Sequence, residues 1–369
     1  MRPNTLLLTG NSMHDANLYF FTRFLTSSTF TYIRKGKREF IVLSQMEVER
    51  AKKGSRVKDV RSTTDYGIKE LIKKYQDQKR VRCELLYKIL REEGVEQIEV
   101  PDNFPFFLAE GLRKRGINIT LAEGLEKVRE VKSKAEIEYI IRAQRACEKA
   151  MKAAIDAIKS AKVRGDSLDT TSERVKFIIE HSLVDEQCAA NDTIVACGKQ
   201  ASNPHCTGHG MLKKDAPIII DIFPYHRKER YHADMSRTVL RGDATAEIVD
   251  MYQAVLDAQN VAFDTIKVGV TGEDVHNAVC DLFERRGYDT ERKGAKIGFI
   301  HSTGHGVGIE IHEGPSLSMG GSTLRAGNVV TVEPGLYYPD IGGVRVEDIV
   351  LVTAKGCKNL TKFPKQLVI

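Results

Sequence analysis

With 369 residues, 41% of them hydrophobic and 29% charged, the chain has the make-up of a soluble globular protein long enough for two domains. Its formal net charge of +6 is mild and dispersed, and the densest basic run, RKGKRE at 34–39, reads as a hairpin turn around Gly36, not as a nucleic-acid patch. No apolar run approaches the ~20 residues of a membrane helix, and the run in MRPNTLLLTGN is too short for a signal peptide, so a cytoplasmic protein is expected.

In chain order, TLLLTG reads as a buried strand and MHDANLYFFTRF as mixed. FTYI and EFIVLS form the hairpin. GIKELIKKY and LLYKILREEG have helical spacing, QIEVP is a strand, and NFPFFLAEGLRKRG is a helix ended by Gly116. Residues 1–122 therefore predict an α/β domain, one without a glycine-rich phosphate loop. A long helix opens at Ser133, where SKAE is a capping box. Ile137, Ile140, Ile141, Cys147, Met151, Ala154, Ile155 and Ile158 form its apolar stripe. The domain boundary is expected within 123–132, dividing the chain into 1–125 and 126–369. Seven cysteines, an odd number with no CxxC, suggest buried thiols and neither a disulfide framework nor a zinc ribbon.

Two later segments share one design: APIIIDIFPYHRKERYHADMSRTVL at 216–240 and NVVTVEPGLYYPDIGGVRVEDIVLV at 328–352. Each is an apolar strand ending in a carboxylate, then turn residues, then a strand with a second carboxylate. Asp221 and Asp234 stand 13 apart, Glu333 and Glu347 14 apart. A hairpin sets such residues about 5 Å apart, so four acids can converge. Period two puts Ser236 on the face of Asp234 and Arg345 on the face of Glu347. The apolar flanks predict burial, and four buried carboxylates need protons or cations. With one imidazole they suit two hard or borderline divalent metals, such as Mn²⁺ or Co²⁺. The loop HSTGHGVGIEIHEGP at 301–315 offers the imidazoles. Spacing alone does not decide between its histidines.

These segments resemble the pita-bread metallopeptidases, the family of methionine aminopeptidase, aminopeptidase P and prolidase. DMSRT is similar to the family's D-x-T-R-T, TGHGVGIEIHEGP to its histidine motif, and TVEPGLY and GVRVED to its two glutamate motifs. TIVACGKQASNPH is similar to the segment leading to its first pocket histidine, here His205. VREVKSKAEIEYIIRAQ resembles its interdomain helix. Residues 1–122 resemble the extra α/β domain of prolidase, aminopeptidase P and creatinase. The fold implied is a creatinase/prolidase-like α/β domain followed by an α+β pita-bread catalytic domain.

The resemblance implies metal ligands Asp221, Asp234, His305, Glu333 and Glu347, holding two divalent ions, Mn or Co first, Zn or Fe as alternatives. It implies hydrolysis of X-Pro bonds, as a dipeptidase or an aminopeptidase, by a hydroxide bridging the metals. Glu333 would be the general base, His312 a donor to the oxyanion, and His205 a substrate contact. Arg345 would orient ligands or meet a substrate carboxylate. His301 is expected to be structural, and His209, His226 and His232 to face solvent. The partners implied are small proline-containing peptides and a second copy of the chain in a homodimer, with neither nucleic acid nor membrane. Where the family carries a small residue two after the first Asp, this chain has Phe223, a candidate pocket wall; its first hairpin is about two residues longer. The rival readings are a same-fold hydrolase of a non-proline C–N bond and a catalytically inactive binding protein of this fold.

Overall fold

The computed structural model describes residues 5–369; the first four residues of the MRPNTLLLTGN run lie outside the described residues. The chain forms two units, one ending at Val128 and one spanning Arg129–Ile369.

The first unit is built on six strands: β1 (Thr5–Gly10), β2 (Phe30–Lys35), β3 (Arg38–Leu43), β4 (Asp59–Ser62), β5 (Gln97–Val100) and β6 (Asn118–Leu121). Their order is β4-β3-β2-β1-β5-β6. The β2–β3 hairpin turns at Gly36, which holds φ 61°. Alternate residues serve opposite faces. Leu7, Ile33 and Phe40 meet Leu86, Ile89 and Leu108 from helices α4 (Gln78–Glu92) and α5 (Phe106–Arg113). Leu8, Tyr32 and Ile41 meet Leu18 and Phe21 of α1 (Ala16–Thr22) and Val48 of α2 (Val48–Gly54). A sheet buried on both faces is the result. The mixed segment MHDANLYFFTRF becomes helix α1 because Asp15 caps it, accepting from the Leu18 amide at 2.8 Å. Helix α3 (Ile68–Tyr75) lies where GIKELIKKY has helical spacing.

The second unit begins with α6 (Lys134–Ser160), whose capping box of Ser133 and Glu136 is complete. Its buried stripe differs from the apolar pattern. Ile140, Cys147, Met151, Ala154 and Ile158 are buried, but Ile137, Ile141 and Ile155 are only partly so, and Glu136 and Gln144 go inside. Helix α7 (Ser172–Asp185) follows, then α8 (Ala246–Thr265) and α9 (Gly272–Arg285). Helices α8 and α9 contribute Val255, Ala258, Val275 and Phe283 to a core shared with Val330, Val332, Val350 and Val352.

Two sheets position the site. A three-stranded sheet orders Ile194–Cys197, Ile218–Ile222 and Met235–Val239; a five-stranded sheet orders Glu313–Leu317, Gly304–Gly306, Val329–Val332, Asp348–Thr353 and Gly356–Asn359. The Glu347 amide, just before Asp348–Thr353, joins the two by donating to the Ser236 carbonyl at 3.0 Å, and Arg345, which ends a separate two-stranded ribbon, donates from its amide to the Thr238 hydroxyl at 2.9 Å. No helix among the described residues is long and apolar enough to cross a membrane.

Candidate metal centre

Each acid sits at or beside a strand end, next to residues the sheets bury. Asp221 is the fourth residue of its strand, Asp234 precedes Met235, Glu333 follows Val332, and Glu347 precedes Asp348. All four face one pocket of about 460 Å³, together with His205, Phe223, His305, His312 and Arg345. The nine residues singled out in the sequence are thus brought together.

Asp221, Asp234 and Glu347 are buried at 8%, 4% and 1% exposure. Glu333 keeps 16% of its side chain open. His305 Nε2 lies 3.3 Å from Glu333 Oε1 and 3.6 Å from Asp234 Oδ2. Asp234, His305 and Glu347 each place a ligand atom within 4.8 Å of the others. His305 Nδ1 stands 3.2 Å from the Gly306 carbonyl, which can only accept; Nδ1 therefore carries the hydrogen and Nε2 turns its lone pair to the acids.

The glycines of this loop are there for close approach. A Cβ at Gly304 would overlap the Thr331 carbonyl, one at Gly306 the carbonyls of Glu313 and Gly314, and one at Gly308 the Glu313 carboxylate. Glu313 is itself clamped by Lys132 at 2.8 Å and Arg129 at 3.4 Å.

The charges do not balance within the protein. Burial, then Asp221 and Glu333, holds the Asp234 carboxyl well above the usual range. Burial, then Asp234 and Glu333, does the same to Glu347. Burial pushes Glu333 up to about 8. Burial also lowers His305 to about 4 and keeps it neutral, as a ligand imidazole must be. Oδ1 of Asp221, Oδ1 of Asp234 and Oε1 of Glu347 are buried without a hydrogen-bond partner. Buried carboxylate oxygens with no donor are costly. Oxygen-rich sites with one imidazole accept hard or borderline divalent cations, so these residues fit the metals that the resemblance implies.

Arg345 is tied down. Its Nε donates to Ser236 Oγ at 2.9 Å, Nη1 to the Tyr337 hydroxyl at 2.8 Å, and Nη2 to Asp221 Oδ2 at 2.7 Å. Burial opposes its charge, but Tyr337 and the surrounding acids outweigh that and keep it protonated. Ser236 in turn donates to Glu347 Oε2 at 3.1 Å. His301 accepts from Tyr337 at Nε2, 2.9 Å away, while its Nδ1 donates to the Ser302 carbonyl at 2.7 Å. The ring of His312 packs edge-on against His305 with centroids 4.4 Å apart. His205 is exposed at the pocket, and Phe223 lines it.

Three expectations need correcting. His226 is buried at 5%, beside Glu229, because the turn folds back under Tyr231. His232 is half-buried, and its backbone amide donates to the Gly308 carbonyl at 2.7 Å. Both were expected to face solvent, as His209 does. Among the thiols, Cys83, Cys147, Cys188 and Cys280 are buried, but Cys197, Cys206 and Cys357 are only partly so.

Sequence reasoning missed Tyr337, Gln144 and Glu313. Tyr337 left one trace, the glycines around it: a Cβ on Gly335 or Gly343 would press on its ring. Gln144 accepts from the Asp234 amide at 3.3 Å, a contact across 90 residues that no local pattern announces.

Comparison with known proteins agrees with this geometry. The model of metallopeptidase family M24 matches residues 138–354. A Xaa-Pro dipeptidase of Pyrococcus horikoshii is 32% identical over 288 residues, covering 76% of this chain and 77% of its own. The solved prolidase from Pyrococcus furiosus superposes with a TM-score of 0.81 at 26% identity, over 98% of this chain and 97% of that one. A Xaa-Pro dipeptidase from Bacillus anthracis gives 0.83 at 26% identity, over 99% and 95%. The expected fold class, an α/β unit followed by a pita-bread α+β unit, is met, and the chain belongs to metallopeptidase family M24.

Proposed function

We propose that this chain is a dinuclear-metal-dependent peptidase that hydrolyses X-Pro peptide bonds. One observation carries the reading: four carboxylates and an imidazole converge on one pocket, and three of the buried carboxylate oxygens have no donor. The names of the relatives, Xaa-Pro dipeptidase and prolidase, support the substrate class.

Asp221, Asp234, His305, Glu333 and Glu347 would hold the ions, with Mn²⁺ or Co²⁺ favoured by the oxygen-rich set. Bound there, two divalent ions would acidify a water and polarise the scissile carbonyl. Glu333 is the most open of the four acids, which supports it as the group that takes the water proton and passes it to the proline nitrogen. His312 donates to the carbonyl oxygen as charge develops there. His205 and Phe223 line the leaving side, where a proline ring with no N–H needs shape, not an acceptor. Arg345 and Tyr337 hold Asp221 in place. Water is divided between the products: hydroxyl to the acyl carbon, hydrogen to the proline nitrogen.

The unit ending near Val128 is the creatinase/prolidase-like domain and the remainder the catalytic domain; we assign the protein to the cytoplasm, as a homodimer. The test has two parts. Elemental analysis after reconstitution should approach two divalent ions per chain, and in Mn²⁺ the protein should cleave Met-Pro-Ala well and Met-Ala-Ala poorly. A chain that stays metal-free in excess Mn²⁺ and Co²⁺, or that prefers Met-Ala-Ala, overturns the proposal.

A further inference from the structure

A dipeptide X-Pro carries its carboxylate one residue beyond the scissile bond, inside the catalytic pocket. Recognition of that charge calls for a fixed cation. Among the described residues, Arg345 is the one lysine or arginine lining the pocket, and it has little to offer. Its side chain is 4% exposed, and besides the three bonds described above, Nη1 reaches the Pro204 carbonyl at 3.3 Å. Taking a substrate carboxylate would mean giving up Asp221. His205 and His312 remain on the wall, and an imidazole N–H suits a neutral peptide carbonyl as well as an anion.

The pocket does not end at its wall. A second groove of about 440 Å³ shares Asp192 and Thr207 with it. Its remaining lining comes largely from α7 and is held firmly. Lys176 donates to the carbonyls of Thr207 at 3.2 Å and Gly208 at 2.9 Å, and Glu173 accepts from the Gly210 amide at 3.0 Å. Phe177 lies in this groove 46% exposed, with the His181 ring 3.8 Å from its own and the Arg174 guanidinium 5.1 Å from its centroid. Glu173, Glu180 and Asp192 outnumber Lys176 there.

We propose, resting on the X-Pro reading above, that the preferred substrates are X-Pro peptides that continue past the proline, and that the groove at Phe177 receives the continuation. A chain that runs on places a neutral amide where a dipeptide would place an unpaired carboxylate. It also gains the apolar contact with Phe177. The acidic lining favours a basic residue after the proline over an acidic one.

The experiment compares kcat/KM in Mn²⁺ for Met-Pro, Met-Pro amide, Met-Pro-Ala-Ala, Met-Pro-Lys-Ala, Met-Pro-Glu-Ala and Met-Ala-Ala-Ala. Met-Pro-Ala-Ala should exceed Met-Pro by about tenfold or more, the scale of one poorly paired buried group. Met-Pro amide should match or exceed Met-Pro, and the lysine peptide should exceed the glutamate peptide. Phe177→Ser should shrink the ratio of tetrapeptide to dipeptide severalfold. If Met-Pro beats both its amide and the tetrapeptide while proline is still preferred to alanine, this inference fails and the X-Pro reading stands. If Met-Ala-Ala-Ala is cleaved as fast as Met-Pro-Ala-Ala, or no peptide is cleaved, the X-Pro reading fails and takes this inference with it. A ratio unmoved by Phe177→Ser, or a preference for the glutamate peptide, removes the groove.

Discussion

In the hairpin of Ile218–Ile222 and Met235–Val239, Asp221 stands opposite Ser236, so Asp221 and Asp234 are offset along the ladder. In the hairpin of Val329–Val332 and Asp348–Thr353, Val332 stands opposite Asp348. Carrying that register one step further sets Glu333 opposite Glu347. The partners differ as well. Asp221 has a guanidinium at 2.7 Å, whereas Glu333 has the Thr331 hydroxyl at 3.3 Å and Glu347 the Ser236 hydroxyl. Among the described residues, the protein sets its own cation within hydrogen-bonding reach of Asp221 and leaves Asp234, Glu333 and Glu347 without one, so one acid of the aspartate hairpin but both acids of the glutamate hairpin are left to whatever binds. Similar spacing in sequence hides a division of labour: one hairpin is braced, the other poised for metal.

The sharpest way to break this comparison is to remove one charge from the poised hairpin. Glu333→Gln should lower kcat/KM by about 10³-fold or more, since on the proposed reading ligand and base are lost together. The fold should survive, and circular dichroism should not change. Glu347→Gln should go further in one respect. It removes a carboxyl whose charged form is disfavoured first by burial and then by Asp234 and Glu333, so the metal-free variant should melt higher than the metal-free wild type and should lose the rise expected with Mn²⁺. Asp221→Asn, by contrast, leaves Arg345 short of its partner and should melt lower. If the two variants shift together, the hairpins are equivalent and the comparison is wrong.

Next in size is the support under the histidine loop. Glu313 is 3% exposed at its side chain and ion-pairs with Lys132 and Arg129, which are themselves buried. Glu313→Ala strands the buried Lys132 and leaves the buried Arg129 only its pair with the more exposed Glu310, and should cost about 3–5 kcal/mol. Urea unfolding of the metal-free protein measures it. A loss below about 1 kcal/mol, the scale of an exposed pair, would show that the clamp is not load-carrying.

What the sequence showed and what it hid divide along the same line. The acids were legible because each lies at one end of a strand with apolar residues, and a carboxylate at such a point must be satisfied by something. The start of α6 was legible because SKAE is a local capping pattern. Its buried face was misjudged because hydrophobicity ranks Ile137 and Ile141 above Glu136 and Gln144. In the fold, Glu136 meets the Tyr231 hydroxyl, and Gln144 meets the Asp234 amide and the Thr361 hydroxyl at 3.2 Å. Polar residues go inside when a distant partner completes them. That partner lies 90 or more residues away in every case, beyond the reach of any periodicity. His226 was misplaced for a different reason: its partners Glu229 and Tyr231 are local, and the turn folds back to bury it with them.

A pH titration of stability sharpens the comparison further. His276 of α9 is fully buried, its Nδ1 3.0 Å from the Thr303 hydroxyl, and the Thr303 carbonyl accepts from the Glu333 amide at 2.8 Å. It therefore props the glutamate hairpin from behind. Burial, then Arg292, lowers His276 from its ordinary 6.5 to about 4. The unfolded chain thus binds this proton more readily than the folded one between those values. Its stabilising contribution is complete above about pH 6.5 and is lost as pH falls towards 4, by at most about 3 kcal/mol. His276→Gln should flatten that part of the difference between the melting curves. Parallel pH profiles for variant and wild type would show that His276 titrates normally.

The smallest effect should come from the hydroxyl that links the two hairpins. Ser236 Oγ accepts from Arg345 Nε and donates to Glu347 Oε2, so it connects the braced side to the poised side. Ser236→Ala leaves a buried donor and a buried acceptor unmatched, at a cost of about 1–3 kcal/mol. Metal changes the account for one of them. A carboxylate that coordinates a cation no longer depends on a hydroxyl, whereas the Arg345 Nε–H stays unmatched in either state. The destabilisation should therefore be larger in the metal-free protein than in Mn²⁺-saturated protein. Ser236→Thr keeps the hydroxyl and should recover stability if the added methyl fits. An equal loss with and without metal would mean that Ser236 serves Arg345 alone, and that the link between the hairpins runs through the backbone bond from Glu347 to the Ser236 carbonyl.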